Sequence, residues 1–476
     1  MQTTSPNTRR PEQAPSDNTS PRSHRARTLA LAAMSLGLGV VQLDITIVNT
    51  ALSSIGTSLG GSVAELQWMV TAYTITFAAF ILTAGALGDR LGAKRIFIAG
   101  FAIFTLASLA CVLAPSAMFL IAARAVQGLG AAILVPNSLT LLNHAYADPK
   151  ARSRAVGIWA AGAAVALTAG PFVGGVLIAL VSWRSIFLVN LPIGAAGLWL
   201  AWRYAGETPR LAQREIDLPG QLAAITALGA LAGALIEGGA LGWSHPLVIG
   251  GFAAAAVAGL LFVWREARAP QPMLPLSLFG HRLFALSALV GFLFNIAFYG
   301  LIFVLSLYFQ EVNAWSPFAT GLAFVPMMAM VLPANLVTAS VSERLGAPQT
   351  ITLASVITAA GCVALLPMTP GMSYWAIGAQ LVVLGGGLGL LVPSLTSTLL
   401  GSVEKSRSGI AAGVLNVMRQ TGSVVGVALF GSLVGRDNAF IAGAHASLVI
   451  SAAVLLAGAV AIWHGRGGTM KGRRRP

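Results

Sequence analysis

From about residue 28 to residue 464 the chain alternates between long apolar runs and short polar breaks. A helix crosses the hydrocarbon core of a bilayer with about 20 mostly apolar residues. Runs of that length lie at 28–52, 65–88, 95–114, 117–143, 153–181, 184–203 and 218–237. Others follow at 245–264, 283–309, 317–341, 348–367, 374–400, 406–434 and 443–464. The pattern predicts an all-α membrane protein with fourteen transmembrane spans. Spans 5 and 6 are nearly fused, with only Ser182, Trp183 and Arg184 around their junction.

The spans repeat. GDRLGAKR (88–95) after span 2 resembles SERLGAPQ (342–349) after span 10. QGLGAAILVPN (127–137) in span 4 matches GGGLGLLVPS (385–394) in span 12, aligning Pro136 with Pro393. SRAVG (153–157) pairs with SRSG (406–409), and TAGPFVGG (168–175) with QTGSVVGV (420–427). The offsets of 254, 257, 253 and 252 residues amount to one spacing. Spans 1–6 therefore map onto spans 9–14. The separation is an even number of spans, so both halves have the same orientation, as in transporters built from parallel repeats. The expected organisation is a tail (1–27), a six-helix bundle (28–203), a linker carrying an inserted two-helix hairpin (204–282), a second six-helix bundle (283–464) and a basic tail (465–476).

Charge adds an orientation. Charged residues make up 9% of the chain and apolar ones 56%, with a net charge of +14. Arg90, Lys94 and Arg95, Lys150, Arg152 and Arg154, Arg203, Arg210 and Arg214, Arg265, Arg268 and Arg282, Arg344, Lys405 and Arg407, and the basic residues of both tails share one side. Only Arg184 and Arg436 fall opposite, while Arg124 and Arg419 lie within spans. This bias predicts both termini in the cytoplasm and a multi-pass protein of the cytoplasmic membrane. Bases in short loops facing anionic lipid account for the positive charge without nucleic acid. The first residues are rich in Pro, Ser, Thr and Arg, predicting a disordered tail, and they lack the apolar core of a secretory signal. Cys111 and Cys362 sit in apolar runs, implying neither a disulfide framework nor a metal site.

Against this background one carboxylate stands out. Asp44 lies in VQLDITIVNTAL (41–52) with no base within ten positions on either side. Counting from residue 28, it is about 24 Å into the membrane at 1.5 Å per residue. An ionised carboxylate at such depth costs on the order of 2.5–3.5 kcal/mol. Burial disfavours its charged form and a neighbouring cation favours it, so a group held between the two can exchange a proton when hydration changes. A permanent structural ion pair is the alternative. Arg124 in span 4 lies at matching depth and is the expected partner, with Gln127, Gly128 and Ala131 on its face. Gln42, Thr46, Asn49 and Ser53 form a stripe pointing away from Asp44. One of the two faces a cavity and the other a neighbouring helix. Arg419 in span 13 is expected to line a cavity, and Asn295, Tyr299 and Ser306 share one face of span 9 as candidate substrate contacts. Glu237 and Glu311 near span ends are expected to be solvated. There is no phosphate loop, metal-ligand spacing or nucleophile elbow, so neither enzyme chemistry nor a cofactor is expected. The energy source is then an ion gradient.

These residues resemble a known family. GALGDRLGAKR (85–95), RAVQGLGAAI (124–133) and AGPFVGG (169–175) are similar to three signatures of the major facilitator superfamily. LDITIVNTAL (43–52) and WRSIFLVNLPIG (183–194) resemble its fourteen-span drug:proton antiporters, with methylenomycin A resistance proteins the nearest type. Ser53, Ala93, Pro348 and Gln349 depart from the usual pattern. The resemblance covers about residues 28–464. It implies proton coupling at Asp44 and Arg124. It further implies a conformational latch built on Gly85, Asp89, Arg90, Gly92, Lys94 and Arg95, and helix contacts made by Gln127, Gly128, Gly170, Pro171, Gly174 and Gly175. The substrate would be a small amphipathic drug, with Asn49, Asn295, Tyr299 and Arg419 as contacts and protons as the counter-ion. A dedicated exporter of one antibiotic or metabolite is the first alternative, and a non-transporting receptor or scaffold the second. The buried Asp44 and Arg124 argue against the scaffold. Whether a periplasmic adaptor joins is not readable.

Overall fold

A computed structural model describes residues 21–146, 148–210, 217–270, 272–404, 408–435 and 440–465. Most of both expected tails, with Arg214, Lys405, Arg407 and Arg436, lies outside the described residues. Among the described residues, fourteen helices are long and apolar enough to cross a membrane. They are α1 (Arg25–Leu59), α2 (Val63–Leu91), α3 (Ala93–Val112), α4 (Ala117–Ala145), α5 (Pro149–Leu180), α6 (Ser185–Tyr204) and α7 (Leu218–Leu241). The rest are α8 (Pro246–Arg268), α9 (Arg282–Val312), α10 (Pro317–Leu345), α11 (Ala347–Ala364), α12 (Tyr374–Gly401), α13 (Ile410–Val434) and α14 (Phe440–Gly465). With an even number of crossings, the start of α1 and the end of α14 share one face, here the terminal face; the other is the distal face.

Two boundaries differ from the sequence expectation. The first helix begins at Pro21, inside the expected tail; proline suits a helix start because its missing N–H has no partner there anyway. Span 1 also runs past residue 52 to Leu59, through a 3-10 turn at Val48–Ala51. That turn breaks the helical register on which the Gln42–Ser53 stripe was read.

The repeat is visible in the packing. In the first six helices α2 packs on α4, α3 on α4, α1 on α5, α1 on α6 and α3 on α6. In the last six the same pairs recur as α10–α12, α11–α12, α9–α13, α9–α14 and α11–α14. Glycines make these approaches possible because a side chain would occupy the partner's backbone. Gly170 and Gly174 of α5 lie against Thr46, Ile47 and Thr50 of α1, while Gly422 and Gly426 of α13 lie against Phe292 and Ile296 of α9. Gly92 and Gly346, at matching turns after α2 and α10, have φ of +100° and +91°. Side chains with a Cβ rarely adopt that conformation.

The halves meet through α2 with α13 and α5 with α10. Their specific contacts cluster toward the distal face. The Gln67 amide donates to the Val427 and Ala428 carbonyls at 3.0 and 2.7 Å. The Ser306 hydroxyl donates to the Asn49 carbonyl. Gly175 lies on Pro317–Phe318, and Gly321 on the Pro171 carbonyl. Above this seal a distal cleft of about 430 Å³ is lined by Ser53, Leu66 and Glu311 among others. Toward the terminal face Gly157 of α5 has no atom near its missing side chain, while Gly413 of α13 lies against Leu82 of α2. Gly321→Val would drive a branched side chain into the Pro171 carbonyl, at about 1–3 kcal/mol for overpacking. The seal is then expected to open. A Ser306→Cys thiol should react with a distally applied, membrane-impermeant maleimide roughly tenfold faster, as about 1.4 kcal/mol predicts. Equal reactivity with and without G321V would show that this glycine does not hold the seal.

The inserted hairpin, α7 and α8, lies outside the repeat. α7 rides over the seam, touching both α2 and α13. Leu228, Leu231, Ala232, Leu235 and Ile236 pack on Trp68 and Ile75 from one half and on Val424 and Ala428 from the other. Trp68 also donates to Glu237 at 3.4 Å, so Glu237 is engaged rather than simply solvated, while Glu311 is exposed.

Candidate functional site

Asp44 is fully buried in the distal half of α1. Its Oδ2 meets Arg124 Nη1 at 2.5 Å. Its Oδ1 accepts from the Gln127 amide at 2.9 Å and from the Asn190 amide at 3.2 Å. Arg124 and Gln127, three residues apart on α4, share a face, and Arg124 Nη1 also donates to Gln127 Oε1 at 2.6 Å. Arg124 Nε donates to the Met69 carbonyl of α2 at 3.2 Å. Its guanidinium stacks over Tyr73 at 4.3 Å and Phe187 at 5.7 Å. Ser108 of α3 receives the second amide hydrogen of Gln127 at 2.9 Å and lies 3.4 Å from the Asn190 amide. Five helices thus converge on one carboxylate that carries three donors, the environment an ionised carboxylate needs when water is excluded. The pair as a whole is neutral.

Asn190 and Ser108 escaped the sequence reading. Asn190 falls inside the WRSIFLVNLPIG stretch, but its direction depends on the break between Ser185–Leu188 and Asn190–Tyr204. Ser108 is one small polar residue among many. The stripe on α1 resolves into separate tasks. Thr46 donates to the Leu167 carbonyl of α5 at 3.0 Å. Asn49 donates to Ile45 and, through its carbonyl, joins the distal seal. Asn49, expected as a substrate contact, is buried, and its backbone carbonyl accepts from Ser306 in the distal seal. Ser53 lines the distal cleft.

In the second half Arg419 borders a narrow gap with Phe294, Asn295, Leu391, Leu395 and Thr396. Its Nε is buried without an acceptor, and no carboxylate pairs with it among the described residues. Asn295 is buried, its amide bonded to the Gly291 carbonyl at 2.7 Å. Tyr299 packs edge-on against Phe298 and lies within electrostatic reach of Arg419 on one side and Tyr73 on the other. The Tyr73 hydroxyl is buried and unpartnered.

At the terminal face Gly85 packs against Pro136, and Gly88 against the Asn137 side chain. Asn137 in turn bonds the Ala84 carbonyl at 3.1 Å. The N–H of Ala93 donates to Thr208 at 2.8 Å, fixing the turn after Gly92. Arg90 and Arg95 are exposed, while Asp89 and Lys94 are half-buried. At the distal face Arg184 caps the end of α3, donating to the Val112 and Ala114 carbonyls at 3.1 and 3.2 Å, where cations suit a helix C-terminus.

Residues 34–427, most of the chain, match the sequence profile of the Major Facilitator Superfamily. The chain belongs to that superfamily. Among its relatives are proteins named methylenomycin A resistance protein. That of Bacillus subtilis is 37% identical, covering 91% of this chain and 93% of its own length. That of Streptomyces coelicolor is 38% identical, covering 91% of each. The multidrug resistance protein Stp of Mycobacterium tuberculosis is 37% identical over 86% of this chain and 76% of its own. Among solved structures, the human organic anion transporter MFSD10 superposes with a TM-score of 0.62 over 93% of this chain and all of its own. At 17% identity that shows the fold alone. This major facilitator is a multi-pass membrane protein with fourteen candidate spans.

Proposed function

We propose that this major facilitator exports amphipathic drugs or antibiotics across the cytoplasmic membrane in exchange for protons, with both termini in the cytoplasm. The observation that carries the reading is the sealed Asp44–Arg124 pair, a titratable group balanced between burial and a counter-charge. The resistance and multidrug names of its relatives support the drug class. The basic residues of the terminal face support a cytoplasmic location for that face. The closed distal seal is then assigned to a cytoplasm-facing state of an alternating-access cycle. Opening of the distal side hydrates Asp44. A proton from outside neutralises it and leaves Arg124 to the Gln127 oxygen and the Tyr73 ring. Return to the cytoplasm-facing state restores the ion pair and releases the proton inward. Gly85, Asp89, Arg90, Gly92, Lys94 and Arg95 latch the cytoplasmic face, and the glycines of α4 and α5 keep the moving helices in close contact.

The unpaired Arg419 supplies the substrate contact, with Asn295 and Tyr299 beside it. A half-buried cation without an acid suits a substrate bearing an anionic group. A hydrogen bond to a charged group is worth about 1.5–3 kcal/mol. Arg419→Gln is accordingly expected to raise the half-saturating concentration of an acidic substrate at least tenfold, at about 1.4 kcal/mol per decade, while neutral substrates are unaffected. Equal losses for both classes would remove Arg419 from substrate recognition. The narrow gap around Arg419 favours a second reading, a dedicated exporter of one acidic compound; a susceptibility panel that protects against a single agent would select it. The reading as a whole is tested in proteoliposomes. Export of substrate should be accompanied by counter-movement of protons reported by a trapped pH dye, and export without proton movement overturns it.

A further inference from the structure

The inserted hairpin carries buried charge that helix packing alone does not require. Asp217 caps α7, accepting from the Gly220 N–H at 3.1 Å, and Arg265 Nε of α8 lies 3.1 and 3.2 Å from its two oxygens. Next to Arg265, Glu266 is only 3% exposed. One of its oxygens accepts from the Leu274 N–H at 2.9 Å; the other, Oε1, is buried with no hydrogen-bond partner among the described residues. The two carboxyls border the same residue. A Cβ on Gly220 would lie 2.8 Å from Asp217 Oδ2 and 3.4 Å from Glu266 Oε1. Two acids thus share one guanidinium, which is spent on Asp217.

Among the described residues, the neighbours bring no second cation. α2 presents Thr83 and the Ala79 carbonyl, and both are engaged by Gln221 of α7. Thr83 also lies 3.1 Å from the Met273 sulfur. The stretch after α8 contributes the backbone amides of Met273 and Leu274, and the charged groups acting on Glu266 are Asp217 of α7 and Arg265 of its own helix. A buried carboxylate oxygen without a donor or cation is costly. Counted over the described residues, the charges balance with one proton.

We propose that Glu266, paired with Asp217, is a proton-binding site at the foot of the inserted hairpin, separate from Asp44. In the conformation seen here Glu266 holds the proton. The neutral acid lets Gln221 and Met273 clamp the foot of α7 onto α2. Loss of the proton to water at the terminal face leaves two acids on one arginine, draws water in and frees the foot. Because α7 also rides on α13, its foot is placed to adjust how the halves move. The hairpin then reads the proton concentration on the terminal side, whatever the gradient across Asp44.

The site is tested without reference to transport. In the full chain reconstituted in lipid, pH-difference infrared spectra should show a carboxylic C=O band that titrates. Glu266→Gln keeps an acceptor for Leu274 and should abolish that band, while Asp44→Asn should leave it in place. For the clamp, a Leu274→Cys thiol is labelled with a maleimide in mildly acid and mildly alkaline buffer. The alkaline rate, relative to that of L274C/E266Q at the same pH, should rise roughly tenfold, as a local opening equilibrium would give. A pH-difference spectrum that E266Q leaves unchanged overturns the site. So does a labelling response that is identical with and without E266Q, which would leave Glu266 as only a cap for Leu274. A response that follows sodium concentration rather than pH assigns a metal cation and overturns it as well.

Discussion

In vesicles under an imposed proton gradient, Asp44→Asn is expected to abolish accumulation of substrate against its concentration difference. The amide takes up no proton, so acidity on one side no longer favours one conformation over the other. Coupling free energies of about 1–3 kcal/mol correspond to roughly 5- to 150-fold biases between sites. The accumulation ratio should therefore fall to about one, losing the whole of that factor. Exchange of labelled for unlabelled substrate with no gradient should continue, because the halves still rock and Arg419 is untouched. Uphill accumulation at the wild-type level in D44N would move the proton to another residue. Survival of neither exchange nor accumulation would point to a folding defect, which the second prediction separates.

Arg124→Gln is expected to cost stability first and function as a consequence. It leaves Asp44 as a buried anion held only by two amides, and breaking one side of a buried pair costs about 3–5 kcal/mol. D44N has the mirror defect, a buried guanidinium with no counter-charge. Each single variant should therefore melt at a markedly lower temperature in detergent than the wild type. The double variant D44N/R124Q removes both charges and retains hydrogen-bonding side chains next to Gln127 and Asn190, so most of the stability should return. Uphill transport should not return with it. That combination, a stable but uncoupled double variant, distinguishes a proton-coupling pair from a structural one. Should the double variant melt below both single variants, the two charges are not stabilising each other in the folded protein.

Some of this site was legible before any coordinates. Asp44 and Arg124 are rare residues in apolar surroundings, and helical rise alone set them at matching depth. The structure joins them at 2.5 Å. Asn190, Ser108 and Tyr73 were not legible. Each is an ordinary polar or aromatic residue whose role depends on how its helix is rotated about its axis, and rotation is decided by neighbouring helices. The Val48–Ala51 turn is tighter than the 3.6 residues per turn on which the Gln42–Ser53 stripe rests, so that face is not continuous. Glu266 and Asp217 went unnoticed because acids at span ends are normally solvated. Nothing local shows that the two converge on Gly220 and share one arginine.

Apolar run length, the spacing of repeated motifs and the one-sided bias of basic residues determined the number of spans, the pairing of the halves and the expected orientation. Those are properties of the chain measured against a bilayer of known thickness, so they need no partner to be read. The tertiary structure alone decided which face of each helix meets another. It showed the distal side sealed, the inserted hairpin spanning the seam, and Arg419 without an acid among the described residues. These depend on contacts between residues hundreds of positions apart, where a rotation of one helix by a single residue exchanges a cavity wall for a packed interface.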